Sequence, residues 1–260
     1  MIIHMTQKMK ALLFCGGFLL VYAGCTTEEN QPRLSMFVGV DVSGSFVHTE
    51  YYANSLAFLA HYIYAHVNGV EGFEKPNVFF IASIGGMDID DPKTFHPIQS
   101  FENKSVEEIE DQLWEMFPTD QLEPVTDFNT FFEHIARTVQ NHNLVLRPIS
   151  VILLSDGIPD YEIDNEQHLR RFSDIDLHPL ERLSRNVTIR LLYSNPSDGR
   201  SWQTEIPRRR VKIWTQDAEV MKTWNDPKIL FEDRAIEEQD RWISWTRENV
   251  NYNVRSRRVD

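Results

Sequence analysis

Short apolar runs alternate with stretches of helical periodicity along most of the chain. Strands are predicted at residues 36–40, 77–84, 148–154, 187–193 and 211–214. A long helical pattern runs from Tyr51 to Val67, a second covers 127–139, and a third begins at Ser105, where Glu108 completes a capping-box pattern. This alternation predicts an α/β fold, with a doubly wound, mostly parallel central sheet and helices on both faces. We expect residues 95–101 to add one antiparallel edge strand.

Two segments near the carboxyl end have less regular patterns. Residues 170–183 predict a helix that Pro179 interrupts. Residues 226–260 are predicted to form a C-terminal helical extension, since apolar residues recur every seven positions at Ile236, Ile243 and Val250. We expect this extension to dock on the flank of the sheet, and the alternative is a helix that binds a partner.

The first predicted strand ends in a cluster of oxygen-bearing side chains. Asp41 closes the apolar run, and Ser43 and Ser45 follow at alternate positions in a tight turn. Two further segments supply oxygen ligands, because Thr126 opens a helix pattern and Asp156 follows another buried strand. Hard cations such as Mg²⁺ prefer oxygen ligands, and open α/β sheets bind ligands at the carboxyl ends of their strands. The sequence therefore indicates a metal-dependent binding face.

These residues resemble the metal-ion-dependent adhesion site of the von Willebrand factor A (VWA) domain. That site takes Asp-x-Ser-x-Ser from the first strand, a Thr from the loop before a central helix and an Asp from the end of the fourth strand. The order, separation and setting of the matching residues agree over about residues 35–225. One departure is visible, since the family often has Gly before the Thr and this chain has Pro124 and Val125 there.

The resemblance implies a VWA or Rossmann-like fold and a bound Mg²⁺ (or Mn²⁺). It implies that Ser43 and Ser45 bind the metal directly, that Asp41 and Asp156 often act through water, and that Thr126 binds directly in one conformational state only. It also implies that a protein partner offers a carboxylate to the open coordination position.

Each of these residues also has a purely structural interpretation. Asp41 could cap the turn that follows it, and the two serines could be ordinary turn residues. Thr126 could be a helix N-cap, although Asp127 competes for that role. Asp156 could belong to a plain turn.

The amino terminus predicts export and lipidation. Residues 1–24 have the pattern of a signal peptide, with two lysines, a short apolar stretch and small residues before Cys25. This pattern resembles a bacterial lipoprotein signal, which implies lipid on Cys25 and a polar tether over 25–34. The alternatives are an ordinary cleaved signal and an uncleaved anchor.

The tether and the net charge bear on where the protein is located and what it binds. The tether lacks the Asp that retains many lipoproteins at the inner membrane, so we expect the protein to lie in the bacterial cell envelope, at the outer membrane rather than the inner. Removing residues 1–24 would change the net charge from −13 to −15. This acidity argues against nucleic acid as a partner, and the lipid, rather than charge, would supply contact with the membrane.

Enzymatic functions are disfavoured by what surrounds the proposed site. A phosphatase of the haloacid-dehalogenase type needs a carboxylate two residues after its nucleophilic Asp, and Ser43 occupies that place. A serine hydrolase of the Gly-x-Ser-x-Gly type lacks its motif. We expect no enzyme, but a lipid-anchored VWA domain with an adhesion, scaffold or assembly role. The alternatives are a VWA fold whose vestigial metal site leaves binding to another surface, and a Mg²⁺-dependent phosphatase-like hydrolase.

Overall fold

The computed structural model describes residues 34–85, 96–164, 167–169 and 171–251, with the backbone alone described over 161–164 and 167–169. The predicted signal peptide, lipidation at Cys25 and nearly all of the tether lie outside the described residues, so these expectations stay predictions. Among the described residues, no helix is both long and apolar enough to cross a membrane.

A six-stranded sheet forms the centre of the described part of the protein. A separate two-stranded hairpin is formed by residues between its fourth and fifth strands in the sequence. The strands are β1 (Ser35–Asp41), β2 (Val78–Ile84), β3 (His96–Pro97), β4 (Ile149–Leu154), β5 (Tyr161–Asp164), β6 (Gln167–Leu169), β7 (Val187–Ser194) and β8 (Lys212–Asp217). The six-stranded sheet has the order β3-β2-β1-β4-β7-β8, and only β3 runs antiparallel to its neighbour. The predicted fold class is therefore confirmed, including the antiparallel edge strand.

Helices cover both faces of this sheet. They are α1 (Gly44–Val47), α2 (Tyr51–Asn68), α3 (Val106–Met116), α4 (Phe128–Asn141), α5 (His178–Glu181), α6 (Pro196–Thr204), α7 (Ala218–Met221) and α8 (Asp240–Asn249). Alternate side chains of β1 explain the two layers, because Val38 packs into one apolar cluster with α2, α3 and α8, whereas Phe37 packs into another with α4, α5 and α6. Every residue of β1 and β4 is buried, as expected for central parallel strands.

The starts of two helices follow their capping residues. Ser105 caps α3, and the side chain of Glu108 accepts a hydrogen bond from the backbone of Ser105, which confirms the predicted capping box. Asp127 caps α4, since its Oδ1 accepts from the backbone N–H of Thr130 at 3.0 Å. Thr126 is therefore not the N-cap of this helix.

One local prediction was wrong, and one element was not predicted. The helix expected over 170–183 is reduced to a 3₁₀ turn at Phe172–Asp174 and the single turn α5. Pro179 lies in the first turn of α5, where its missing N–H costs nothing, so it begins this helix rather than interrupting a longer one. Residues 161–164 and 167–169 form the hairpin of β5 and β6, which the sequence patterns did not predict.

The C-terminal extension packs against α2. Trp242 is fully buried and stacks on Phe73 with ring centroids 5.5 Å apart. Trp245 meets Phe58 edge to face at 6.3 Å, and Val250 is also fully buried. In the described part, up to residue 251, the extension thus lies on the flank of the sheet in the manner expected for a docked helix.

Burial predicts a large loss of stability when Ile152 is truncated. Ile152 lies in the middle of β4 and is fully buried, so Ile152→Ala should cost about 2–5 kcal/mol of unfolding free energy. Leu146→Ala is the matched control, because Leu146 is 80% exposed. Urea unfolding of both variants checks the prediction, and a similar midpoint for the two would contradict the assignment of Ile152 to the core.

Candidate functional site

The candidate site lies at the point where the order of strand addition in the sheet reverses. The chain passes from β1 outward to β2 and β3, and then returns to the other side of β1 as β4. Such a switch point leaves a crevice beyond the carboxyl ends of the two central strands. Asp41 is the last residue of β1, and Ser155 and Asp156 directly follow β4. The fold therefore brings two aspartates from distant parts of the sequence to one edge of the sheet.

Two hydrogen bonds fix the carboxylate of Asp41, which is fully buried. Its Oδ1 accepts from the backbone N–H of Ser43 at 2.9 Å, and its Oδ2 accepts from the hydroxyl of Ser155 at 2.5 Å. The Ser155 Oγ accepts in turn from the backbone N–H of Gly157 at 2.9 Å. Sequence reasoning missed Ser155, although a hydroxyl directly before a strand-end aspartate is a signal that could have pointed to it.

The two serines of the Asp-x-Ser-x-Ser segment place their hydroxyls side by side. The Oγ atoms of Ser43 and Ser45 lie 3.1 Å apart. Ser43 also forms a parallel bridge with Glu123, whose backbone N–H donates to the carbonyl of Val42 at 3.1 Å. This bridge ties the loop before α4 to the turn after β1, and so carries Thr126 towards the serines.

The loop that holds Thr126 is fixed from two sides. The carbonyl of Thr126 accepts from the backbone N–H of Asp160 at 3.1 Å. On the other side, Gly85 has φ +118°, and a Cβ at this position would lie 2.1 Å from the carbonyl oxygen of Val125. The close approach of the Val125 carbonyl thus needs glycine at position 85, directly after β2.

Asp156 is held by the turn that follows it. Its Oδ1 accepts from the backbone N–H of Ile158 at 3.0 Å. Gly157 has φ +82°, a conformation that favours glycine, and its carbonyl accepts from the indole N–H of Trp202 at 2.7 Å. Because Trp202 is fully buried, this turn is anchored to the core rather than left to solvent.

A cavity of about 430 Å³ opens beside these elements. Ser43, Ser45 and Thr126 line it together with Glu123 and Asp160, whereas Asp41 and Asp156 are not among the lining residues. The Thr126 hydroxyl forms no hydrogen bond with any residue that the structure describes. Three residues with hydroxyl side chains therefore line one opening. Glu123 and Asp160 were not predicted to lie there, since their approach depends on backbone bridges between distant segments.

The electrostatics of the site favour a cation. Burial, and after it the nearby charge of Asp156, raises the pKa of Asp41 to about 6, although hydrogen bonds from Ser155 and Ser43 act in the opposite direction. A positive ion beside the two aspartates would offset both the burial and the repulsion.

The available donors suit a hard cation. Hydroxyl and carboxylate oxygens are the ligands of Mg²⁺, which keeps several of its own waters and so needs few protein ligands. Among the described residues, no group of three or more His, Cys, Asp or Glu side chains could hold a metal ion by itself. A metal at this site would therefore depend on Ser43, Ser45 and Thr126 as well as on the two aspartates, and the five residues fit that requirement chemically.

Comparisons with known proteins give similarities of fold. No protein-family model and no curated protein matches the sequence. One similar solved structure is proximal thread matrix protein 1 from the mussel byssus with a zinc-occupied MIDAS motif, at 12% identity and a TM-score of 0.45, covering 74% of this chain and 46% of that one. Another is the pilus adhesin SpaC from Lactobacillus rhamnosus GG, at 9% identity and a TM-score of 0.47, covering 77% of this chain and 30% of that one.

The SpRpn10 VWA domain is also similar, at 11% identity and a TM-score of 0.37, covering 71% of this chain and 88% of that domain. The present chain spans less than half the length of the mussel protein and of the pilus adhesin. At these identities and TM-scores, the similarities do not identify a function for this chain.

The raised pKa of Asp41 has a consequence for stability. Its ordinary pKa is 3.8 and its folded value is about 6, so between these pH values the folded state binds more protons than the unfolded state. The carboxyl group therefore contributes stability at low pH that is lost as the pH rises through about 6. Above that pH, the ionised group costs at most about 3 kcal/mol.

We expect Asp41→Asn to stabilise the metal-free protein near neutral pH. With EDTA present, the variant should melt above wild type at about pH 7.5 and close to it at about pH 4, where Asp41 is mostly protonated. Asp156→Asn should give a smaller gain, because repulsion by Asp156 is second to burial as a cause of the shift. Thermal unfolding checks this. An Asp41→Asn variant that loses stability relative to wild type as the pH rises would contradict the explanation.

Proposed function

We propose that this protein is a non-enzymatic binding protein that holds Mg²⁺, or Mn²⁺, at the switch point and uses it to bind a protein partner. The observation that carries the proposal is the fixed, buried carboxylate of Asp41 beside Asp156. A bound cation would offset both the burial of this carboxylate and its repulsion by Asp156. The hydroxyls of Ser43, Ser45 and Thr126 at the adjoining cavity supply the neutral oxygen ligands.

The charge of the site favours recognition over storage of metal. Only two of the five proposed ligands are charged, so a bound cation keeps much of its attraction for an outside anion. The cavity of about 430 Å³ is open to a side chain from another protein. A carboxylate from the partner is the group that best completes such a site, and this supports an adhesion, scaffold or assembly role.

The surroundings of the serines support the absence of enzymatic activity. Among the described residues, no histidine forms a hydrogen bond with Ser43 or Ser45 that could make either a nucleophile. Ser43 also occupies the position where a phosphatase of the type considered above needs an acid or base. Binding without chemistry is therefore the function that these residues suit.

We further propose that the protein is anchored by lipid on Cys25 in a bacterial envelope, at the outer membrane rather than the inner. Support comes from the sequence of residues 1–25, which resembles a lipoprotein signal. With a net charge of −13, the chain is repelled by anionic lipid surfaces, so a covalent anchor supplies what charge does not. The tether of residues 25–34 would then hold the folded part, and its metal site, near the membrane.

Metal binding is the first test of the proposed function. Calorimetric titration with Mg²⁺ or Mn²⁺ should give heats of modest-affinity binding for wild type and none for Asp41→Ala, because that variant removes the buried charge. Ser173→Ala is the control, since Ser173 is an exposed serine outside the cavity. Equal heats for wild type and Asp41→Ala would overturn the proposal.

Thr126→Ala separates recognition from folding in the same titration. It should weaken binding of the metal together with a carboxylate, for which acetate serves as a probe. Because Asp127 is the N-cap of α4, the variant should lose less than the roughly 1 kcal/mol that removal of a cap costs. A much lower melting temperature would instead make Thr126 structural.

Lipid anchoring has its own test. Cys25→Ser should abolish metabolic labelling with a fatty acid and release the protein from the membrane fraction, because stable anchoring needs more than one acyl chain. Cys15→Ser is the matched control, since Cys15 lies within the predicted signal peptide. Retention of Cys25→Ser in the membrane pellet would contradict anchoring by lipid at this residue.

A further inference from the structure

A second cavity lies at the amino ends of the central strands, at the opposite edge of the sheet from Asp41. It measures about 510 Å³, and residues from β1, β4, β7, β8 and α2 line it. Leu34, at the start of the described chain, and Asn251, at its end, both lie in its wall. Nothing in the proposed metal function uses this cavity.

Arg190 brings a positive charge into this cavity without an acidic partner. Its Nε donates to the carbonyl of Val250 at 2.8 Å, and its Nη1 donates to the hydroxyl of Ser150 at 2.9 Å. Within the described part of the chain, no carboxylate forms an ion pair with Arg190. Burial lowers the pKa of the guanidinium, although Arg190 as a whole is only partly buried. A partly buried cation with only neutral partners attracts a counter-ion.

Other lining groups add to the attraction for an anion. Lys212 lies on β8 beside Thr188 of β7, lines the cavity and has no ion pair among the described residues. Asn251 accepts from the hydroxyl of Tyr62 through its Oδ1 at 2.7 Å, and its side-chain amide N–H groups donate to no residue that the structure describes. Glu74 is the one acidic residue among those that line the cavity. The cavity is thus locally positive in a protein whose net charge is −13.

His66 supplies a second, independent sign of a missing ligand. Its Nδ1 donates to the carbonyl of Glu74 at 2.7 Å, but its Nε2 is buried and forms no hydrogen bond with a residue that the structure describes. Burial lowers the pKa of His66 to about 4, so the ring is neutral near pH 7 and Nε2 is an acceptor. Buried polar atoms are nearly always hydrogen-bonded in native proteins. A ligand with a hydroxyl group would satisfy this nitrogen.

We propose that this cavity binds an oxyanion, a carboxylate or a phosphate, with Arg190 and Lys212 as its charged contacts. The fork of the guanidinium suits the paired oxygens of either group. A phosphate with one protonated oxygen also offers a hydroxyl to His66. Two sources share this chemistry: a free small molecule, and Glu28 or Glu29 of this chain, which lie five or six residues before Leu34.

Thermal unfolding of the full chain with inorganic phosphate or acetate tests the proposal, at constant ionic strength against chloride. Wild type should be stabilised, and the apparent Kd for phosphate should weaken about tenfold or more in Arg190→Met and in Lys212→Gln. Lys104→Gln is the control, because Lys104 lines a different cavity. Phosphate also stabilises proteins non-specifically, but that effect would be equal in all variants. Since the side chain of Lys212 forms no hydrogen bond with a described residue, its variant keeps the test valid if Arg190→Met does not fold.

A double variant, Glu28→Gln with Glu29→Gln, distinguishes the two sources. Binding to wild type that the double variant leaves unchanged supports a free molecule as the ligand. Binding that appears or strengthens only in the double variant supports occupation by the chain's own carboxylates. No stabilisation by either anion in either protein would overturn the proposal. Stabilisation that Arg190→Met and Lys212→Gln leave unchanged, both in wild type and in the double variant, would also overturn it.

Discussion

The pairing of β1 with β4 is the constraint on which the candidate site depends. Val40 lies opposite Leu154 in this pair, so Asp41 and Ser155 come level with each other where the two strands end. The hydrogen bond from Ser155 to Asp41 is possible only in this register. A slip by one residue would turn Asp41 to the other face of the sheet and would also exchange the two apolar layers that flank β1. The core that fixes the register therefore also fixes the site.

The sequence predicted most of the central sheet and the position of the proposed ligands because both depend on local patterns. β1 and β4 are continuous apolar runs, which is what strands buried on both faces require. Asp41, Ser43 and Ser45 are adjacent in the chain, so their proximity follows from a single turn. Thr126 and Asp156 could be placed because each follows or precedes an element with a clear pattern.

Other features could not be predicted, since they depend on contacts between distant segments. The requirement for glycine at position 85 arises only because Val125 approaches from a loop forty residues away in the chain. The segment 170–183 has residues with helical spacing, but only the single turn α5 forms an α-helix there, and Leu177 and Leu180 are buried in the apolar cluster that contains α4. Tertiary packing thus overrode local propensity there.

The two ends of the sheet respond to acid in opposite directions. The folded pKa of His66 is about 4 and its ordinary value is 6.5, so its contribution to stability is lost as the pH falls between these values. The contribution of Asp41 to stability increases over nearly the same pH range as the pH falls, because its pKa in the folded state is higher than its ordinary pKa of 3.8. In the absence of ligands the two contributions partly cancel.

Ligands would remove this cancellation. A cation beside Asp41 lowers its pKa, and an oxyanion beside His66 raises the pKa of the ring. Each ligand therefore brings the pKa of one group back towards its ordinary value. The pH dependence of stability that comes from the other group is then no longer cancelled. Occupation of the metal site alone would make the protein more sensitive to acid, whereas occupation of the Arg190 cavity alone would make it less so.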